Sequence, residues 1–195
     1  MSMMTPAAMA LATVAMMVAM MLPSIAPTVW RHHRHLRAAR VSRAAQRTIL
    51  LAVGYASVWA TIALALFAMS TALTPARMPS AGAVILCAGV VQRSRWKANQ
   101  LRHCREACVT ALTVAAAWKD GCRLGVDCGL SCAAPMAVLL VAGLMDTRMM
   151  LIITAAVTAE RVAPGGARIA RLTGAIALVA GLGMCLRAIQ ISMLL

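Results

Sequence analysis

Long apolar stretches separated by short arginine-rich segments constrain this chain more than any other feature. Residues 5–26, 48–73, 124–145 and 169–191 are almost free of charge. A hydrocarbon layer about 30 Å thick is crossed by roughly 20 residues of helix. Two shorter runs, 79–92 and 147–162, read as further crossings. The expectation is an all-α polytopic transmembrane helix bundle of about six spans, forming one membrane-embedded domain over residues 1–195. Hydrophobic residues make up 62% of the chain but aromatics only 3%, so the apolar mass is Ala, Leu, Val and Met. That is the composition of lipid-facing helices rather than of a soluble core. The first apolar stretch lacks a basic leader and an Ala-x-Ala cleavage pattern, and reads as a retained helix ending at Pro23 and Pro27.

The apolar run 107–118 decides the parity of everything after it. Arg102 and Arg105 precede it, and Lys119 and Arg123 follow. Basic residues on both sides of a segment too short to span predict a short interfacial helix, about 96–118, lying along one face. Of 19 Lys and Arg residues, 16 then fall on one side and only Arg77, Arg148 and Arg187 on the other. Cytoplasmic connections are the basic ones, so the expected location is the inner (cytoplasmic) membrane with both termini outside the cytoplasm. The formal charge of +14 is therefore read as a topology signal and not as a nucleic-acid surface. Arg31, Arg34, Arg37, Arg40 and Arg43 suit anionic lipid headgroups. His32, His33 and His35 beside them read as a solvated interfacial face before a metal-entry patch.

Seven cysteines and 16 methionines are unusual in a chain of 195 residues, and the expected topology gathers them. Met16 with Met20, and Met17 with Met21, share faces at the cytoplasmic end of the first span. Cys104 and Cys108 are four apart, as are Cys128, Cys132 and Met136. Thiols at a cytoplasmic face stay reduced, so a disulfide framework is not expected. Thiolate and thioether sulfur select Cu(I), with Zn(II) a competitor where cysteine and histidine dominate. The same residues are also ordinary fillers of membrane helix packing, which is the reading for Cys87, Cys122 and Cys185 taken singly. Asp127 and Glu160 are the acidic residues nearest membrane depth, where a charge needs a partner. Arg123 is the expected partner of Asp127, and Arg161 or Arg168 that of Glu160. No nucleophile-base constellation, phosphate loop or dinucleotide fingerprint is present, so an enzyme is not expected.

Four stretches together resemble the DUF2182 membrane proteins, described as metal-binding and copper chaperone-like. Ala19-Met20-Met21-Leu22-Pro23 is similar to that family's Ala-Met-Met-x-Pro segment. Gln92 through Lys97, then Leu101-Arg102-His103-Cys104-Arg105, resembles its Tyr-Gln-x-x-Pro-Leu-Lys and Cys-Leu-x-x-Cys-Arg pieces. The stretch 121–136 resembles its Gly-rich approach to a Cys-x-Gly-Cys-Cys helix, and Met145-Asp146 and Glu160-Arg161 its Met-Asn and Glu-Lys pairs. Val91, Arg95, Gln100 and Ser131 depart from the pattern, the last two at cysteine positions. The resemblance thus implies a non-catalytic copper-handling protein, with Met20, Met21, Cys104, Cys128 and Cys132 as Cu(I) ligands and a membrane protein as partner. Two other readings stand beside it. One is an accessory subunit of a larger membrane complex, reached through Gly174, Gly181 and Gly183; the other is a thiol oxidoreductase using Cys128 and Cys132.

Overall fold

The computed structural model describes residues 5–72, 81–106, 113–143 and 146–194. These form seven helices and no strand: α1 (Pro6–Ala38), α2 (Ala44–Ala72), α3 (Ala81–Arg93), α4 (Arg95–Glu106), α5 (Val114–Ala142), α6 (Thr147–Val162) and α7 (Gly166–Leu194). Among the described residues, α1, α2, α5 and α7 are long and apolar enough to cross a membrane. The 13 residues of α3 and the 16 of α6 give helices of about 20 and 24 Å, short of a hydrocarbon layer of about 30 Å. The chain divides into two compact units, Met1–Phe67 with His103–Leu130, and Ala68–Arg102 with Ser131–Leu195.

In the first unit, α1 starts on a Thr5 cap, whose hydroxyl accepts from the Ala8 amide, and runs on through Pro23 and Pro27. Each proline removes one backbone bond but holds a helical φ. In apolar surroundings, leaving the helix would forfeit every backbone bond beyond it, so the helix continues. Residues 30–38 are accordingly helical, and the expected long basic connection shrinks to residues 39–43. Arg40 and Arg43 adopt left-handed backbone there, at φ 51° and 59°. The histidines diverge: His32 is buried beside the helix's apolar stripe, His33 shares a hydrogen bond with Thr48 at 3.2 Å, and His35 is exposed. A uniformly solvated histidine face is thus not what forms.

Also in this unit, α2 lies directly on the first half of α5. A Cβ on Gly54 would stand 2.6 Å from the Trp118 carbonyl oxygen, and one on Gly121 would run into the Leu51 backbone. Only hydrogen fits at such an approach. Further along, Gly125 faces Val58 and Gly129 faces Ile62. Numbers rise together on both helices, so they run parallel. The run 114–118 is the start of α5 and not the end of an interfacial helix. No proline interrupts residues 114–134, which lets helix propagate straight into the apolar stretch. Residues 107–112, with Cys108, lie outside the described residues.

In the second unit, α3 and α7 are antiparallel. Gly82 meets the Gly181 carbonyl and Cys185, while Gly89 meets the Gly174 carbonyl and Leu178. Gly174 and Gly181, expected to receive a helix of another protein, thus receive α3 of this chain. Gly183 faces open space. α6 begins on an Asp146 cap, whose Oδ1 accepts from the Arg148 and Met149 amides at 2.9 and 3.2 Å. A three-residue turn then returns the chain into α7.

Candidate metal-handling residues and a buried ion pair

The buried stripe of α1 carries Thr13, Met17, Met20, Met21 and Ser24 at three- and four-residue steps. Met21 has no exposed surface and Met20 little. α4 buries Lys97, Leu101 and Cys104, spaced as one helical face, while Arg95, Trp96 and Arg102 stay outside. α5 buries Cys128, Cys132 and Met136 on one face at four-residue intervals. All five residues named as ligands, Met20, Met21, Cys104, Cys128 and Cys132, are therefore withdrawn from the surface. Cys87 is exposed, Cys122 and Cys185 are half-buried, and none of the described cysteines is in a disulfide.

Cys128 has a specific polar neighbour. The Tyr55 hydroxyl of α2 donates to its Sγ at 3.2 Å, both groups being buried in the first unit. Tyr55 also leans on Trp59, ring centroids 6.5 Å apart, which fixes the phenol. The hydroxyl thus gives the sulfur a polar contact from the neighbouring helix in otherwise apolar surroundings. In the second unit, the Ser131 hydroxyl lies 3.8 Å from Cys132 Sγ. Among the described residues, no three His, Cys, Asp or Glu side chains gather as a metal cluster. The expected pairing of Arg123 with Asp127 is not formed either; Arg123 is exposed one turn away.

The strongest polar feature lies within the second unit. Lys97 Nζ of α4 stands 2.9 Å from Glu160 Oε2 of α6, and neither side chain exceeds 2% exposure. Lys97 also donates to the Ser131 backbone carbonyl. Glu160 Oε1 accepts from Gln92 Nε2 of α3 and from the Thr173 hydroxyl of α7, the latter at 2.8 Å. Five helices thus meet at one charge pair. The expected partner of Glu160 was Arg161 or Arg168; the buried ion pair is made with Lys97. The signal for Lys97 was the face it shares with Leu101 and Cys104, hidden in a stretch that reads as a polar connection.

The family model described as PpoB2, copper chaperone, matches residues 10–184. The chain belongs to this copper-chaperone family. The match takes in α2 to α6 whole and most of α1 and α7, and with them all five named sulfur residues, Tyr55 and the Lys97–Glu160 pair. No curated protein and no solved structure matches the chain.

Proposed function

We propose that this chain is a non-enzymatic membrane carrier of Cu(I), holding the ion through Met20, Met21, Cys104, Cys128 and Cys132 and passing it to a membrane protein partner. The family match over residues 10–184 carries the reading. The donor set suits the cargo, because buried thiolate and thioether sulfur is the ligand chemistry that Cu(I) prefers. Transfer needs no redox change: the ion exchanges one sulfur ligand for another. The resemblance of four sequence stretches to DUF2182 proteins points the same way.

The placement proposed is the inner membrane, with the ligands towards the cytoplasmic face, both termini outside and about six crossings. The 16-to-3 division of basic residues supports that orientation. Helix directions agree with it. α2 and the first half of α5 are parallel, so a chain that crosses on α2 has to return before α5, and α3 is the apolar helix in that interval.

The test is Cu(I) loading of the purified full chain under reducing conditions, in competition with a chelator of known affinity. Bound copper that is lost on joint Cys128→Ser and Cys132→Ser substitution supports the reading. A protein that retains no copper, with the double variant indistinguishable from it, overturns it.

A further inference from the structure

Past Pro27 the outer face of α1 changes character within two turns. Trp30 is 64% exposed, and Arg34 and Arg37 follow it at four and seven residues, both exposed. At about 100° per residue the three lie within about 60° of one another, the arginines about 6 and 10 Å beyond Trp30 along the axis. Met21, Ile25, His32 and Leu36 form the buried face opposite. Back from Trp30 the exposed face is apolar, through Ala26, Pro23, Leu22 and Ala19. The backbone beneath the arginines is held at the turn into α2. Val41 N donates to the Leu36 carbonyl at 3.0 Å, and His33 Nδ1 and Thr48 Oγ1 share a hydrogen bond at 3.2 Å. The turn adds Arg40 and Arg43, exposed and in left-handed backbone, where glycine would fit with less strain. The turn itself therefore does not call for arginine at either position. None of these four arginines is in an ion pair among the described residues, and no acidic residue precedes Glu106 in the chain.

We infer that this end of α1 holds an anionic phospholipid, its phosphodiester between Arg34 and Arg37 and its acyl chain along the exposed apolar residues behind Trp30. Three observations select that occupant. Guanidinium groups without a countercharge call for an anion, and they match phosphate oxygens two at a time. Tryptophan sits at headgroup level in membrane helices, and here it stands between the apolar residues and the arginines, in the order in which a phospholipid presents chain, glycerol and phosphate. A soluble polyanion such as a nucleic acid would leave Trp30 and the apolar face behind it unused. Arg40 and Arg43 add attraction from the turn, which places the strongest positive field beside the proposed phosphate. The general suitability of the arginine run for lipid headgroups thus narrows to one face and two residues. The inference requires that α1 cross a membrane, for which it is long and apolar enough; it is independent of copper.

The experiment places the metal-free full chain in nanodiscs of phosphatidylcholine with a minor fraction of phosphatidylglycerol, the acyl chains of one lipid at a time carrying bromine. Bromine quenches nearby tryptophan, and the contribution of Trp30 is the difference between the unsubstituted chain and Trp30→Phe. Phosphatidylglycerol should be enriched beside Trp30 about tenfold or more over its bulk share, since each arginine near the surface contributes about fivefold. Joint Arg34→Gln and Arg37→Gln substitution should remove most of that enrichment. Joint Arg123→Gln and Arg171→Gln substitution, at two exposed arginines on other helices, should leave it unchanged. Quenching that follows bulk composition, enrichment that survives loss of Arg34 and Arg37, or an equal fall in the second pair would overturn the inference. Displacement of the lipid by inorganic polyphosphate at matched phosphate concentration would also overturn it, in favour of a soluble anion. Should the first double variant fail to fold, salt decides on the unsubstituted chain. The enrichment has to weaken as the screening length falls from about 10 Å at 0.1 M to about 3 Å at 1 M, and one that does not weaken overturns the inference.

Discussion

Lys97 Nζ and Glu160 Oε2 form an ion pair at 2.9 Å with both side chains buried. Removing one member leaves the other charge buried without this partner, at a cost of about 3–5 kcal/mol. Lys97→Met should therefore unfold in detergent at markedly lower denaturant concentration than the unsubstituted chain. Joint Lys97→Met and Glu160→Leu substitution should recover most of the loss, because an apolar pair asks for no solvation. A double variant no more stable than the single would show that the pair contributes in some other way.

Two glycines in helices should respond oppositely to alanine. Gly54→Ala pushes a methyl against the Trp118 carbonyl oxygen, a backbone atom that cannot rotate away, and should cost about 1–3 kcal/mol. Gly183→Ala meets nothing and should gain up to about 1 kcal/mol of helix propensity. Unfolding titrations of both variants in one detergent give the comparison directly.

Tyr55→Phe deletes the hydroxyl that donates to Cys128 Sγ. A stability loss of about 0.5–1.5 kcal/mol follows from one buried hydrogen bond. On the copper reading, Cu(I) affinity also falls, by about tenfold or more, as for other groups that orient a ligand. Chelator competition separates the two effects, since a purely structural tyrosine would leave the affinity of the folded protein unchanged.

Asp146→Ala removes both cap bonds of α6. About 1 kcal/mol of stability should go with them, and Asp146→Asn should keep most of it, because asparagine caps as well as aspartate. Hydrogen exchange at the Arg148 and Met149 amides is the local readout, and an unchanged rate in the alanine variant would remove the cap from the account.

Helix content and most apolar helices were legible in the sequence because period and length carry them. The bounds of α6 coincide with the expected 147–162. The ends of α1 and α5 were not, and for one reason. Pro23, Pro27 and the charged residues 119–127 are breakers or surface markers in water, yet they stay helical here. The common face of Cys128, Cys132 and Met136 was readable from four-residue spacing. The partner of Glu160 was not, because Lys97 sits far away in the chain and its contact is set by packing among α3, α4, α6 and α7. Gly174 and Gly181 were correctly read as places of close helix approach, but whether the visitor belongs to the same chain is a tertiary fact.

The buried charge pair also sets an order on biosynthesis. The ribosome delivers Lys97 before Glu160 exists, and Thr173 later still. Until α6 emerges, the ammonium lacks the carboxylate it finally pairs with, and α3 and α4 lack the contact through Glu160 that ties them together. The last third of the chain therefore completes the middle, and a nascent chain stopped before Glu160 should be a ready substrate for membrane quality control.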